Sequence, residues 1–263
     1  MKTKTLKPVF ANAGVGMKYQ RALERMVDNI HKSVLYWVKA AYRKHYPGLA
    51  MDKSPAEAMQ NEMRILSSRW LKKLDTYSEE FAQFFGKNAV RNADAAMRES
   101  LKQAGLAIEF QMTPAMKNNI DAIVHENISL IKSIGQDYLG RVEQTVYRAV
   151  SEGKGLDVLT AEIKERYGVS RRRAAFIARD QNSKATALLT RERQKEVGIT
   201  QAHWRHSNGG HKPRPEHVAA SKANGGKGLI YEIEKGAYLE GVWTWPGYEI
   251  NCRCHAMPIL PGL

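Results

Sequence analysis

Cysteine is nearly absent from this chain: its 263 residues contain two, Cys252 and Cys254, one residue apart in NCRCHAMP. A mutual disulfide across that spacing is geometrically poor, and two thiols do not make the framework that holds a small secreted domain together. Also missing are a run of 18 apolar residues, a signal-type hydrophobic segment, an internal repeat and a low-complexity tract. The opening MKTKTLKPVFANAGVG breaks into glycine and alanine within a few residues. These absences argue against a disulfide scaffold and a membrane partner, and predict a soluble protein made in a reducing cytoplasm. Acidic residues are scarce as well, 27 Asp and Glu against 41 Lys and Arg, which leaves a formal charge of +14. A surplus of that size favours a polyanionic partner or compartment through attraction that salt weakens.

What the chain has in abundance is helical periodicity. From Tyr19 to His45, Leu23, Met26, Ile30, Val34 and Val38 recur at three- and four-residue steps until Pro47-Gly48. A second helix opens at Ser54-Pro55-Ala56-Glu57, with an N-cap hydroxyl, a proline at the first helical position and a glutamate placed for a capping box. Its stripe reads Met59, Met63, Leu66, Trp70, Leu74, Tyr77, Phe81, Phe84, and the helical signal resumes in VRNADAAMRESLKQAG. A long helix follows Thr113-Pro114 with Ile120, Val124, Ile131, Ile134, Tyr138, Val142 and Val146 on one face. After SEGKG at 151–155 come a short helix, LDVLTAEIKERYG, and a longer one ending near Gly198. Beyond it ITQAHWRHS and KGLIYEI read as strands, and GVWTWPGYEINCRCHAMPIL as one or two more around a Trp-Pro-Gly turn. The expectation is an α+β protein: residues 1–153 a mainly helical region of long helices, residues 154–263 a compact basic α+β domain with a small antiparallel sheet and long loops.

Between Ser170 and Lys227 stand thirteen Lys or Arg against four acids, so this part carries most of the positive field. Arg171, Arg172 and Arg173 read as contacts for phosphate or an acidic partner, with solvated charge as the competing explanation. SNGGHKP and ANGGKG lack the order of a phosphate-cradling loop and read as tight turns. Trp243 and Trp245 flank a turn where packing over the loop outweighs base stacking.

The chemistry concentrates in WRHSNGGHKPRPEH, from Trp204 to His217, and in the cysteine pair. In an extended segment Cys252 and Cys254 point to the same side and Arg253 to the other. Two thiolates could therefore converge on one ion, with His211 or His217 supplied by the loop, which is the mixed shell zinc takes. Buried thiols beside hydrogen-bonded histidines are the alternative. Pro215 fixes the backbone just before Glu216 and His217. Glu216 as a base on metal-bound water, or a Cys/His nucleophilic pair, would make the same cluster catalytic.

The order ARDQNSKATALLTRERQKEVGI, HWRHS, RPEH, WPGYEINCRCHAMP resembles the head-morphogenesis (minor capsid) family of tailed phages and prophages typified by the F protein of phage Mu. Arg179 and Asn182 match its helix signature, Trp204 its strand, and Arg214 with His217 its middle segment. Pro246, Gly247, Cys252, Arg253, Cys254 and Pro258 match its ending. Asp180-Gln181 replaces the usual Thr-Glu, and Gly209-Gly210-His211 stands where an acidic residue is more usual. The resemblance implies a minor head protein of procapsid assembly, located in the phage head near the portal vertex and in the host cytoplasm during assembly. Its implied partners are the portal protein, a scaffold or major capsid protein, and DNA through non-specific contact. On this reading the chain is not an enzyme, and Cys252, Cys254, His211 and His217 hold at most a structural zinc that pins the loops. The rivals are a metal-dependent nuclease using His211, Glu216, His217 and the cysteines, and a DNA-binding regulator, for which no helix-turn-helix or zinc-finger spacing is seen.

Overall fold

The structure, a computed structural model, describes residues 4–45, 54–209 and 212–260. Helix α1 (Ala13–Lys44) buries the expected stripe, Leu23, Met26, Ile30, Val34 and Val38. It starts six residues earlier than its periodicity suggested because the Asn12 side-chain oxygen accepts the Val15 N–H at 3.0 Å, as an N-cap does. Pro47-Gly48 lies outside the described residues. Helix α2 (Pro55–Gln103) is one element of 49 residues, so the two helical signals on either side of Gly86 belong to a single rod. An interior glycine costs a helix only about 1 kcal/mol relative to alanine. Its buried face also differs from the aromatic stripe expected. After Leu74 it continues Ser78, Ala82, Phe85, Ala89, Ala93 and Met97, while Phe84 is exposed. Four-residue steps drift around a 3.6-residue helix, and Phe85, not Phe84, holds the face.

Helix α3 (Pro114–Ser151) is capped by Thr113, whose hydroxyl accepts the Met116 N–H at 3.1 Å. Helix α4 (Leu156–Glu196) runs without a break through Gly168 and joins the two helices read from sequence. All four long helices were thus foreseen in place, though not in length.

The chain divides into two compact units, and not at 153/154. One unit is Lys18–Ala82 with His125–Ala178; the other is Met1–Met17, Gln83–Val124 and Arg179–Leu263. The SEGKG turn joins α3 to α4 inside the first of these, and a glycine-rich turn between two such helices need not mark a boundary. Within that helical unit the Tyr19 hydroxyl donates to buried Asn127 at 2.7 Å. Arg171 reaches Glu24 at 2.8 Å and Asp28 at 3.2 Å, and Arg173 pairs with Asp137 and donates to Ser133 at 2.9 Å. Two of the three arginines read as anion contacts are therefore engaged by carboxylates of their own unit, while Arg172 is exposed.

The other unit carries the sheet. Strands β1 (Lys4–Thr5), β2 (Gln201–Arg205), β3 (Ile230–Glu232) and β6 (His255–Leu260) form an antiparallel sheet in the order β1-β6-β2-β3. The long β2–β6 pairing, Gln201 opposite Ile259 through Arg205 opposite His255, is its centre. Strands β4 (Ala237–Leu239) and β5 (Val242–Thr244) make a separate hairpin. Its two turn residues, Glu240 and Gly241, both have positive φ, the geometry a two-residue hairpin turn requires. Helix α5 (Pro215–Gly226) loses helical geometry from Ala223 onward. Trp204, Tyr231 and Ile199 of this unit are buried together with Met97 and Leu101 from the end of α2 and Leu6 just after β1.

Candidate metal centre

Pro215 opens α5 at its first position, which fixes the entry angle of the helix and sets His217 in its first turn, facing inward. The imidazole packs edge-on against the fully buried Trp204 ring of β2, centroids 4.9 Å apart. Cys252 and Cys254 lie in the irregular segment that leads into β6 and are both buried and free of a disulfide. Their sulfurs approach His217 Nδ1 at 3.5 and 3.7 Å, and all three donor atoms lie within 4.8 Å of one another. A zinc ion with ordinary Zn–S and Zn–N bonds and tetrahedral angles places sulfur and nitrogen roughly 3.6 Å apart. The cluster has the donor types and the spacing of a zinc site, one of the two arrangements the sequence left open. His211, the fourth candidate ligand, lies outside the described residues.

The two thiols share a proton unequally. The Cys252 thiol is held below the ordinary range, first by the hydrogen bond from Cys254 and, against burial, also by His217 and the backbone amides of Cys254 and Gly247. Cys254 is pushed up, because it holds the proton given to Cys252 and is itself buried. The pair favours one thiolate over two, and a bound cation would supply the charge that compensates a second.

A cavity of about 290 Å³ adjoins the cluster, lined by the three donors together with His206, Lys212, Arg214 and Arg253. Among the described residues no carboxylate lines it. Arg214 is held in place by Glu240 at 3.1 Å and by the Ile250 carbonyl at 3.1 Å. Glu216 does not face this cavity; its carboxylate accepts the Glu240 backbone N–H at the β4–β5 turn. The carboxylate that the catalytic alternative would have used as a base is thus a brace for the hairpin, and His206 lines the cavity beside the donors.

The remaining motif residues hold this constellation together. Asn182 of α4 donates to the Asn12 carbonyl at 3.0 Å, and Asp180 accepts the Asn251 N–H just before Cys252. Arg179 also lies on α4, within the same unit. Gly247, beside Pro246, has φ +84°, and a β-carbon there would press on Ala187 and the Cys254 carbonyl at 3.1 Å. Trp243 is about half exposed, with Lys235 over its ring at 4.3 Å, while the Trp245 indole donates to the Ile233 carbonyl at 2.8 Å.

One residue that sequence reasoning passed over is central to the unit. Arg193 is 1 % exposed, doubly bonded to Asp94 at 2.7 and 2.9 Å, and also reaches Glu196 and the Gln111 carbonyl at 2.6 Å. Its signal was positional: it follows Ala185 and Leu189 at four-residue steps on the buried face of α4. The flat exclusion of catalysis also falls. A buried His217/Cys252/Cys254 group able to coordinate a metal has enzymatic potential, which the sequence reading had denied.

Residues 140–257 match the family model described as Phage Mu protein F like protein. This covers the α4 signature, β2, α5 and the cysteine segment, and bears out the family resemblance over that stretch. A Haemophilus influenzae protein known only as an uncharacterized protein is 29% identical over 265 residues, 98% of this chain and 56% of that protein. The chain thus spans about half the length of this curated relative. No solved structure matches. The likeness to this phage protein family extends over residues 140–257, and no helix of the described residues is long and apolar enough to cross a membrane.

Proposed function

We propose that this chain is a phage head protein whose C-terminal unit is a metal-dependent module acting on DNA phosphodiesters. The observation that carries the reading is three buried donors, spaced as zinc requires, beside a cavity lined by Lys212, Arg214 and Arg253. A structural zinc site is closed by four protein ligands, whereas a catalytic one keeps a position for water. Bound there, the metal would supply Lewis-acid activation of water or of a phosphoryl oxygen.

The chain's own groups fit the remaining tasks. Lys212, Arg214 and Arg253 offer fixed positive charge for a phosphodiester, and the Glu240 brace holds the Arg214 guanidinium in one orientation. His206, tied through Nδ1 to the Asn208 backbone N–H at 3.0 Å, is placed to move a proton at the cavity wall. The +14 charge supports a polyanionic substrate. The family likeness supports work in head morphogenesis beside this chemistry, with the portal protein, a scaffold or major capsid protein and packaged DNA as partners near the portal.

The purified chain is assayed for zinc by atomic emission and for cutting of single- and double-stranded DNA with and without a chelator. The expected result is about one zinc per chain and chelator-sensitive cleavage that His217→Ala and Cys252→Ser abolish. Stoichiometric zinc without cleavage on any DNA overturns the hydrolytic reading and leaves a centre that pins the loops for assembly. In that case procapsids made with His217→Ala protein should be defective while the wild-type chain remains inert toward DNA.

A further inference from the structure

A second cavity, of about 250 Å³, shares only Arg253 and Cys254 with the one beside the metal donors. Arg191 and Thr190 of α4, Trp245, Ser207 and His255 contribute to its wall, and among the described residues no aspartate or glutamate does. The Arg191 guanidinium lies over the Trp245 ring at 4.1 Å, and that ring is itself fixed by the bond from its indole N–H to the Ile233 carbonyl. Arg191 has neither an ion pair nor a hydrogen bond to any described residue, and its Nε is buried without a partner. Thr190 is 6 % exposed and its hydroxyl is likewise unpartnered, as is His255 Nδ1.

Arg193, two residues along the same helix, is matched by Asp94 and Glu196. Half-burying a guanidinium that makes no ion pair or hydrogen bond and feels only the Coulombic pull of neighbouring Glu192 is costly, and an unpaired buried hydroxyl beside it adds to the cost. Burial already works against the Arg191 charge. An anion entering from outside would meet all of these unfilled requirements at once. Two arginines, hydroxyls of Thr190 and Ser207 and a histidine offer more donors than a carboxylate can use, and match the oxygens of a phosphate.

We propose that the cavity between Arg191, Thr190 and Arg253 is a phosphate-binding site. The flat guanidinium on Trp245 is the preorganised element, since the ring removes the rotamer freedom that binding would otherwise have to restrain. The site stands whether or not the neighbouring centre is hydrolytic, because binding needs only the cavity. Its phosphate comes either from a free ion or mononucleotide or from a nucleic-acid backbone, and the two are separable.

Calorimetric titration of the full, zinc-loaded chain with inorganic phosphate should give saturable binding, which Arg191→Gln weakens about tenfold or more, the loss expected of a charge-assisted hydrogen bond. Arg191 does not line the metal cavity, so this loss is separate from phosphate on the metal and from any failure to cleave DNA. Arg191→Lys should retain part of the affinity, keeping the charge and losing the fork. Thr190→Val should weaken binding while leaving the melting temperature equal or higher, a result that holds even where an Arg191 variant folds poorly. Displacement of phosphate by a tetrathymidylate lacking a terminal phosphate identifies a nucleic-acid backbone as the source; displacement by deoxyadenosine monophosphate only identifies a free phosphate. Absence of saturable heat, binding unchanged in both Arg191→Gln and Thr190→Val, or displacement by acetate as effective as by phosphate would each overturn the proposal.

Discussion

Replacing Asp94 by alanine tests how the sheet-bearing unit is held to the end of α2. The Arg193 guanidinium, 1 % exposed and stacked 4.7 Å from Phe110, loses two of its four short bonds in this variant and keeps Glu196 and the Gln111 carbonyl. Breaking a buried pair by deleting one partner costs about 3–5 kcal/mol, mostly through the charge left behind. Glu196 remains but is about a quarter exposed, which argues for the lower end, about 3 kcal/mol. At about 2–4 °C per kcal/mol for a unit of this size, melting should fall by roughly 6–12 °C. Thermal unfolding followed by circular dichroism and by tryptophan fluorescence measures this, with the helical unit as an internal reference if two transitions separate. A cost below about 1 kcal/mol would be that of a surface ion pair and would refute the claim that Arg193 is an internal tie. The double variant Asp94→Leu with Arg193→Met should recover most of the loss, because an apolar pair of similar volume also removes the desolvation penalty.

Removing the metal with a chelator should lower the melting temperature of wild-type protein and leave Cys252→Ser, already metal-free, unchanged; equal responses in differential scanning calorimetry would show that the donors hold nothing. Gly228→Ala should destabilise the β2–β3 region by about 2 kcal/mol or more, since φ is +99° and the added carbon collides with the Trp204 carbonyl; urea titration checks it. His31, bonded to the Tyr138 hydroxyl at 2.6 Å and stacked on Tyr167, has its pKa lowered by burial against the pull of Asp28. The folded chain therefore binds this proton less readily than the unfolded one, so its contribution is complete above the ordinary histidine value of about 6.5 and is lost as pH falls below it. His31→Gln should flatten stability between pH 7 and pH 5 in urea melts.

Much of the architecture could be read from residue periodicity, because stripes such as Leu23 to Val38 and Ile131 to Val146 leave a helix only one face to bury. The phase of α2 beyond Leu74 could not, since Ser78 and Ala82 hold the core face there and the eye follows Tyr77, Phe81 and Phe84 instead. Strands β1 and β4 escaped notice for a different reason: at two and three residues they carry no period of their own and exist because β6 and β5 offer them unpaired backbone. The convergence of Cys252 and Cys254 on His217 was legible from alternation in the cysteine segment and the proline before Glu216. The duty of Glu216 was not, because its partner is a backbone amide 24 residues away at a hairpin turn. Arg193 and Arg191 look alike in RERQ, and only the fold shows that one has its carboxylates and the other lies beside an empty-handed cavity wall.

Helices α2 and α4 each supply residues to both compact units. A gene fragment begun at residue 154 would therefore be expressed without Leu6, Met97, Leu101 and Asp94, and the sheet would present raw apolar surface where those side chains belong. Anyone subcloning the cysteine-bearing half should expect inclusion bodies, and should carry the far end of α2 along.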